Sequence, residues 1–255
     1  MLSVLQFAFV GAAAMAAGMV NAIAGGGTLI SFPVLTAVGV PAVAANVTNT
    51  VALCPGMVGG IFAQRRDLQG QSTRLWMTLP IGVLGGILGG VLLIKGSENA
   101  FRTLIPYLIL MATTLLAAQD RIRRWLMTHQ NHHERQHSVW HVSMPVRLGA
   151  IYGGYFGAGL GVILLAVLGL VLDDTLTRLN ALKQTIALAV NLSAAIYFLF
   201  SGQVLWTVAL VMAVGALTGG SIGGRLAGRI RPSTLRTIVV VLGYVVAVVY
   251  LVKQR

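Results

Sequence analysis

Two glycine-interrupted stretches carry the residue types in this chain best suited to binding chemistry. The first contains Asn21, Gly25, Gly26, Gly27 and Thr28, and the second contains Gly157, Gly159 and Gly161. Successive glycines break a helix and expose backbone N–H groups, and a helix that restarts after them adds a positive dipole end. Such a break can hold an anion without any charged side chain. The alternative is close helix packing, for which membrane proteins use small residues.

A set of polar residues follows each glycine stretch. It comprises Asn46, Thr48, Asn49 and Thr50 in the first half, and Asn180, Lys183, Gln184 and Asn191 in the second. Polar side chains at this density inside an apolar segment are costly and usually functional. Lys183 is the cation best placed to meet a substrate charge, although it could instead extend to the membrane surface. Asn191 lies about two helical turns further along the same face.

The positions of these residues repeat along the chain. A shift of 134 residues places Gly25 on Gly159, Gly27 on Gly161 and Asn46 on Asn180. The same shift places GGILGG at 85–90 on GGSIGG at 219–224, which we interpret as helix-packing motifs. An internal duplication in so apolar a chain is typical of transporters that hold the substrate between two repeats.

The composition predicts an all-α, polytopic membrane protein. Hydrophobic residues make up 56% of the chain and charged residues 9%, against about 25% charged residues in soluble domains. We expect two inverted-topology repeats of about five helical segments each, at 1–118 and 147–255, joined by a His-rich linker at 119–146. The short second, sixth and seventh segments are expected at 27–43, 146–158 and 161–172. The fifth is expected at 101–118. Each short pair beside a glycine break could instead form a re-entrant hairpin.

The distribution of lysine and arginine predicts the orientation. With the linker in the cytoplasm, fourteen of the 18 basic residues fall inside and four outside, as the positive-inside rule requires. Both termini are then periplasmic. The net charge of +12 is explained by these loop positions, so we expect no nucleic-acid partner.

The acidic residues exclude some classes of transporter. All six lie at loops or segment ends: Asp67, Glu98, Asp120, Glu134, Asp173 and Asp174. The absence of an acid from the middle of any segment argues against a cation pump or a carboxylate proton relay, and suits an anionic substrate.

The five histidines lie together in the linker, at His129, His132, His133, His137 and His141. Four of them would share one helix face and could bind a metal or sense pH. No cysteine or dense carboxylate set accompanies them, so we favour a solvated linker. We expect no metal, no cofactor and no enzymatic activity, because the segments offer neither a nucleophile–base pair nor a metal-ligand set.

These motifs resemble those of the TauE/SafE sulfite exporter family. The resemblance rests on Asn21 to Gly27 with Pro33 and Leu35, on Gly39 and Pro41, on Ala45 to Asn49, and on Lys183, Asn191 and Ala194. It implies a carrier of the bacterial inner membrane with two homologous halves. Members of the family are associated with export or uptake of sulfite, sulfonates such as sulfoacetate, and related organic anions.

We therefore expect a secondary transporter of small anions, with sulfite or a small organosulfonate as the substrate. The helix N-termini after Gly27 and Gly161 would receive the anion. Asn46, Asn49, Asn180 and Asn191 would donate hydrogen bonds, and Lys183 would balance the charge. An anion channel and a membrane-embedded enzyme stay open as alternatives. The partners are the small anion and the lipid bilayer, and the oligomeric state is open, a homodimer included.

Overall fold

The chain forms a bundle of helices in a computed structural model that describes residues 2–23, 25–129, 139–172, 174–226 and 232–253. In chain order the α-helices are α1 (Val4–Ile23), α2 (Thr28–Ala37), α3 (Ala42–Ala63), α4 (Ser72–Lys95), α5 (Glu98–His129), α6 (Val139–Tyr155), α7 (Leu160–Val171), α8 (Leu176–Leu199), α9 (Trp206–Leu226) and α10 (Pro232–Lys253). A short 3₁₀ turn at Arg65–Leu68 joins α3 to α4. The described residues include no strand, so the all-α class is confirmed.

Three helix boundaries differ from the expected segments. The second helix ends at Ala37 because Gly39 has a φ of 94°, a left-handed conformation that favours glycine, and Pro41 follows. The fifth continues through the polar residues to His129. This extension of the fifth helix is amphipathic, and its Leu126 side chain packs against Gly169 of α7. The sixth begins at Val139, earlier than apolar content alone suggested.

By length and composition, six helices of the described chain can cross a membrane: α1, α4, α5, α8, α9 and α10. The helices α2 and α7 have 10 and 12 residues, which corresponds to about 15–18 Å at 1.5 Å per residue. A bilayer core is about 30 Å thick. The chain is thus a multi-pass membrane protein, and the short helices stand beside its two glycine breaks.

The helices pack in pairs that follow the duplication. Under the 134-residue shift, α1 to α5 correspond to α6 to α10, and Ala42, Ser72 and Glu98, which begin α3, α4 and α5, fall on the first residues of α8, α9 and α10. The helix α1 packs on α9, and its equivalent α6 packs on α4. We call α1, α2, α3 and α9 the first bundle, and α4, α6, α7 and α8 the second bundle. The pairs α3–α8 and α5–α10 join equivalent helices of the two halves.

Glycines let the paired helices approach closely. A side-chain carbon at Gly89 of α4 would lie 2.6 Å from the backbone nitrogen of Tyr155 in α6. One at Gly223 of α9 would lie 2.8 Å from the Cα of Met19 in α1. The interpretation of GGILGG and GGSIGG as packing motifs is confirmed. Each helix of one half packs against a helix of the other half. Each bundle therefore contains helices from both halves of the sequence.

Candidate functional site

The break between α1 and α2 is built by three glycines and one asparagine. Gly25 and Gly26 have φ values of 81° and 91°, which reverse the chain and allow α2 to start after Gly27. Asn21 Oδ1 accepts a hydrogen bond from the Gly27 N–H at 2.7 Å. The N–H of Thr28, the first residue of α2, has no acceptor among the described residues. Asn21 therefore satisfies one of the N–H groups at the helix start.

Gly25 and Gly26 have different surroundings. A side-chain carbon at Gly26 would lie 2.8 Å from Leu116 Cδ2 and 3.7 Å from Val239 Cγ1, whereas one at Gly25 would meet nothing within 4 Å. Gly26 thus faces the packed helices α5 and α10, and Gly25 faces open space. Of these two glycines, it is Gly25 that borders a space a ligand could enter.

Asn49 of α3 lies against α2 and is 1% exposed. Its Oδ1 accepts a hydrogen bond from Ser31 Oγ at 2.5 Å, and the Ser31 hydroxyl also lies 3.3 Å from the Gly27 carbonyl oxygen. No acceptor for Asn49 Nδ2 is present among the described residues. Sequence reasoning missed Ser31. Its signal was a second hydroxyl one turn after Thr28 in an otherwise apolar helix.

The second half brings Lys183 to its own glycine break. Gly157 and Gly159 both have a φ of 77°, and α7 starts at Leu160. The Lys183 Nζ lies 3.7 Å from the point where a Cβ on Gly161 would stand. The N–H of Gly161 has no acceptor among the described residues. Lys183 and the first turn of α7 therefore form one group.

Two amides hold Lys183 in this place. Its Nζ donates to Asn180 Oδ1 at 2.7 Å, and Asn180 Nδ2 donates to Gln64 Oε1 at 2.9 Å. Both ends of the Asn180 amide are engaged, so Asn180 orients Lys183 here. Gln64, at the end of α3, was missed because nothing in the sequence relates it to α8. Its pairing exists only where the two bundles meet.

The remaining asparagines occupy different surroundings. Asn191 Nδ2 donates to the Ala187 carbonyl one turn earlier at 2.7 Å, and its Oδ1 lies 3.5 Å from the Cβ position of Gly157, so it borders the second break. Asn46, 1% exposed, donates instead to the Tyr155 carbonyl at 2.9 Å. Asn46 therefore ties α3 to the end of α6.

The hydroxyls near Asn46 stabilise helices. The Thr48 Oγ1 accepts from the Leu205 N–H at 3.1 Å, which ties α3 to the start of α9. Thr50 Oγ1 donates to the Asn46 carbonyl at 2.9 Å within α3. These hydrogen bonds direct neither hydroxyl toward a glycine break.

The described carboxylates stabilise loops and helix ends. The Glu98 oxygens accept from the N–H groups of Ala42 and Val43 at 2.6 and 3.1 Å, which caps α3. Asp174 pairs with Arg74 and with Arg178, the latter at 2.9 Å. Burial by itself would raise the pKa of Asp174, but hydrogen bonds from Arg178 and Arg74 hold it below its usual value. Among described residues, no carboxylate forms an ion pair with Lys183.

The proposed histidine cluster lies outside what the structure describes. Residues 130–138 are not described, nor are the side chains of His129 and His141. In the described part of the chain, no three His, Cys, Asp or Glu side chains group as a metal site would require.

Comparison with known proteins places the whole chain in one family. The family model for the sulfite exporter TauE/SafE matches residues 10–250. The chain belongs to the TauE/SafE sulfite exporter family. It is 27% identical over 234 residues to a probable membrane transporter protein of Haemophilus influenzae, covering 89% of this chain and 88% of that protein. No solved structure matches.

Two further relatives are matched over most of their length. A probable membrane transporter protein of a Sinorhizobium species is 27% identical over 252 residues, covering 96% of this chain and 91% of the relative. The probable membrane transporter protein YfcA of Escherichia coli K12 is 24% identical over 241 residues, covering 92% and 85%. Family, relatives and spans agree on a membrane transporter.

Proposed function

We propose that this TauE/SafE protein is a secondary transporter that moves small anions across the bacterial inner membrane, with sulfite or a small organosulfonate as its substrate. Lys183 carries the proposal. It is a cation within the membrane-crossing helix α8, and its Nζ is bonded to a neutral amide at 2.7 Å. Lys183 is half-buried, and a cation held there without a counter-ion is costly, so an anion that enters beside it is stabilised.

The donors around Lys183 suit the oxygen atoms of a sulfite or sulfonate group. The free N–H of Gly161 stands at the positive end of α7. The Asn49 amide and the start of α2 offer the equivalent groups in the first half. Each half thus contributes a helix N-terminus and one polar side chain at equivalent positions, 49 and 183.

The two-bundle architecture supports our proposal of alternating access. The glycine breaks lie in different bundles, so rocking one bundle against the other would expose the bound anion to each side in turn. We propose that the repeats are inverted, with periplasmic termini and a cytoplasmic linker. The three candidate membrane-crossing helices in the described part of each half, an odd number, and the charge distribution support this arrangement.

Binding to purified protein tests the substrate class. Sulfite, thiosulfate, sulfate, sulfoacetate and taurine should be compared by thermal stabilisation and by competition against labelled sulfite. We expect sulfite or sulfoacetate to bind. Taurine should not bind, because its ammonium group would stand near the Lys183 ammonium with no carboxylate beside it to neutralise the charge. Binding of taurine in preference to every anion would overturn the proposal.

Counterflow in liposomes separates a carrier from an anion channel. A carrier accumulates labelled substrate against an opposing gradient of unlabelled substrate, and a channel does not. We expect accumulation. Anion flux without counterflow would favour the channel.

A further inference from the structure

Four aromatic residues close one end of the contact between the two bundles. Phe32 of α2 packs edge-on against Phe156, which follows α6, with ring centroids 5.4 Å apart. Phe101 of α5 packs against Tyr155 at 5.5 Å and against Phe156 at 6.3 Å. Phe32, Phe101 and Phe156 are at most 2% exposed. We call these four residues the aromatic plug.

The aromatic plug joins elements that alternating access must separate. Phe32 belongs to the first bundle and Phe156 directly follows a helix of the second. Beside them, Asn46 of the first bundle donates to the Tyr155 carbonyl at 2.9 Å. Ring packing and a buried hydrogen bond therefore hold the two bundles together at this end.

The duplication supplies equivalent positions in the other half, and they carry different residues. The 134-residue shift places Phe32 on Ala166, Phe101 on Leu235, and Tyr155 and Phe156 on Asn21 and Ala22. Asn21 and Ala22 are exposed, and Ala166 and Leu235 are half-buried. Asn180, the equivalent of Asn46, bonds to Gln64 and Lys183 instead of to the Asn21 carbonyl.

We propose that the aromatic plug is the closed gate of the transport pathway. We place the open vestibule at the other face, beside its counterparts Asn21, Ala22, Ala166 and Leu235, none of which carries an aromatic ring. This inference rests on the proposed alternating access. The two gates are chemically different because the duplicated halves have diverged at these four positions. The aromatic end closes by apolar packing that excludes water, whereas the other end lacks these rings at the equivalent positions.

Accessibility from each membrane face tests the gate. In a Cys54→Ser background, Thr28→Cys places a thiol at the half-buried start of α2. A small, charged, membrane-impermeant thiol reagent is applied to proteoliposomes from outside, or from inside after entrapment. We expect the thiol to react from one face only. Adding Phe156→Ala should make it react from the second face, with at least a tenfold rise in rate there.

A matched control is Phe198→Ala. Phe198 is also fully buried, but it packs against Tyr197 and Gly90 instead of the aromatic plug. It should leave labelling confined to one face. Equal opening by Phe198→Ala would show general loosening and overturn the assignment, as would labelling of the parent from both faces or from neither.

The reverse substitution tests the vestibule. Ala22→Phe adds an aromatic ring at the equivalent of Phe156, and we expect it to slow labelling from the open face several-fold while the elution profile in size-exclusion chromatography is unchanged. Unchanged labelling in both Phe156→Ala and Ala22→Phe would refute the gate. These measurements need no substrate. The gate is therefore tested independently of the assignment of an anion as the substrate.

Discussion

At the scale of residues, the two halves use equivalent positions for different chemistry. Position 49 is an asparagine bonded to Ser31, and its equivalent 183 is a lysine bonded to Asn180. Both side chains lie beside the first turn of the short helix of their own half. The duplication therefore conserved the place of a polar side chain, and only the second half placed a charge there.

Lys183→Gln should weaken anion binding and leave expression intact. A charge-assisted hydrogen bond contributes about 1.5–3 kcal/mol, which corresponds to roughly a ten- to hundredfold loss of affinity. Lys183→Arg should restore binding only in part, because a planar guanidinium does not replace a compact ammonium. The measurement is a binding isotherm for sulfite or sulfoacetate.

The matched control for that prediction is Lys95→Gln. Lys95 is exposed at the end of α4, so its charge should not affect affinity. Normal binding by Lys183→Gln would mean that Lys183 only extends to the membrane surface, and that backbone N–H groups and asparagines hold the anion.

At the scale of elements, one ion-pair cluster fastens the loop before α8 to the start of α4. Asp174 accepts from Arg178 Nε at 3.0 Å and also pairs with Arg74. Gln71 Nε2 donates to the Arg178 carbonyl at 3.1 Å, and Arg178 NH1 donates to the Gln69 carbonyl at 3.0 Å. This cluster lies within the second bundle, so we expect it to stay intact while the bundles rock.

Asp174→Asn should lower the thermal stability of the protein, by about 1.5–3 kcal/mol if a charged hydrogen bond is lost. The folded-state pKa of Asp174 is lowered, so its stabilising contribution is complete well above the unfolded value of about 3.9. That contribution falls as the pH drops through the folded pKa. The difference in melting temperature between wild type and variant should be constant from about pH 7 to 5 and shrink below about pH 4.

A suitable control for this measurement is Asp67→Asn. Asp67 lies in the 3₁₀ turn, and within the described chain its side chain forms no ion pair. Asp67→Asn should change stability little at any pH. A wild-type advantage over Asp174→Asn that grows on acidification would contradict the direction of the pKa shift.

At the scale of the whole molecule, the packing is close to symmetric and the two ends are not. Helix pairs repeat under the duplication, as α1–α9 and α6–α4 do. The halves differ at the positions of the aromatic plug, because the equivalent residues carry no aromatic ring. A transporter must be asymmetric in this sense to be open on one side at a time.

The orientation of the whole chain in the membrane can be tested by labelling. We expect both termini outside and residue 130 inside, because fourteen of 18 basic residues then face the cytoplasm. Single cysteines at positions 130 and 255, in a Cys54→Ser background, should react with an impermeant reagent only from the cytoplasm and only from the periplasm, respectively. Periplasmic labelling of position 130 would overturn the inverted arrangement.

The class of protein and the position of both glycine breaks could be predicted from the amino-acid sequence. Apolar content predicts helices that cross a bilayer, and the glycines at 25–27 and 157–161 mark chain reversals because glycine adopts a positive φ at low cost. The sequence also predicted that Gly161 and Lys183 belong to one candidate site. The signals for these features are local or periodic, so they can be read from one chain.

The contacts between side chains of different helices could not be predicted in this way. Ser31 with Asn49, Gln64 with Asn180, and Asn46 with Tyr155 are pairs from different helices. The aromatic plug joins residues from α2, α5 and the end of α6. The length of α5 likewise depends on a contact with α7 at Gly169. Such contacts depend on how interleaved helices pack in three dimensions, and neither hydropathy nor helical periodicity encodes them.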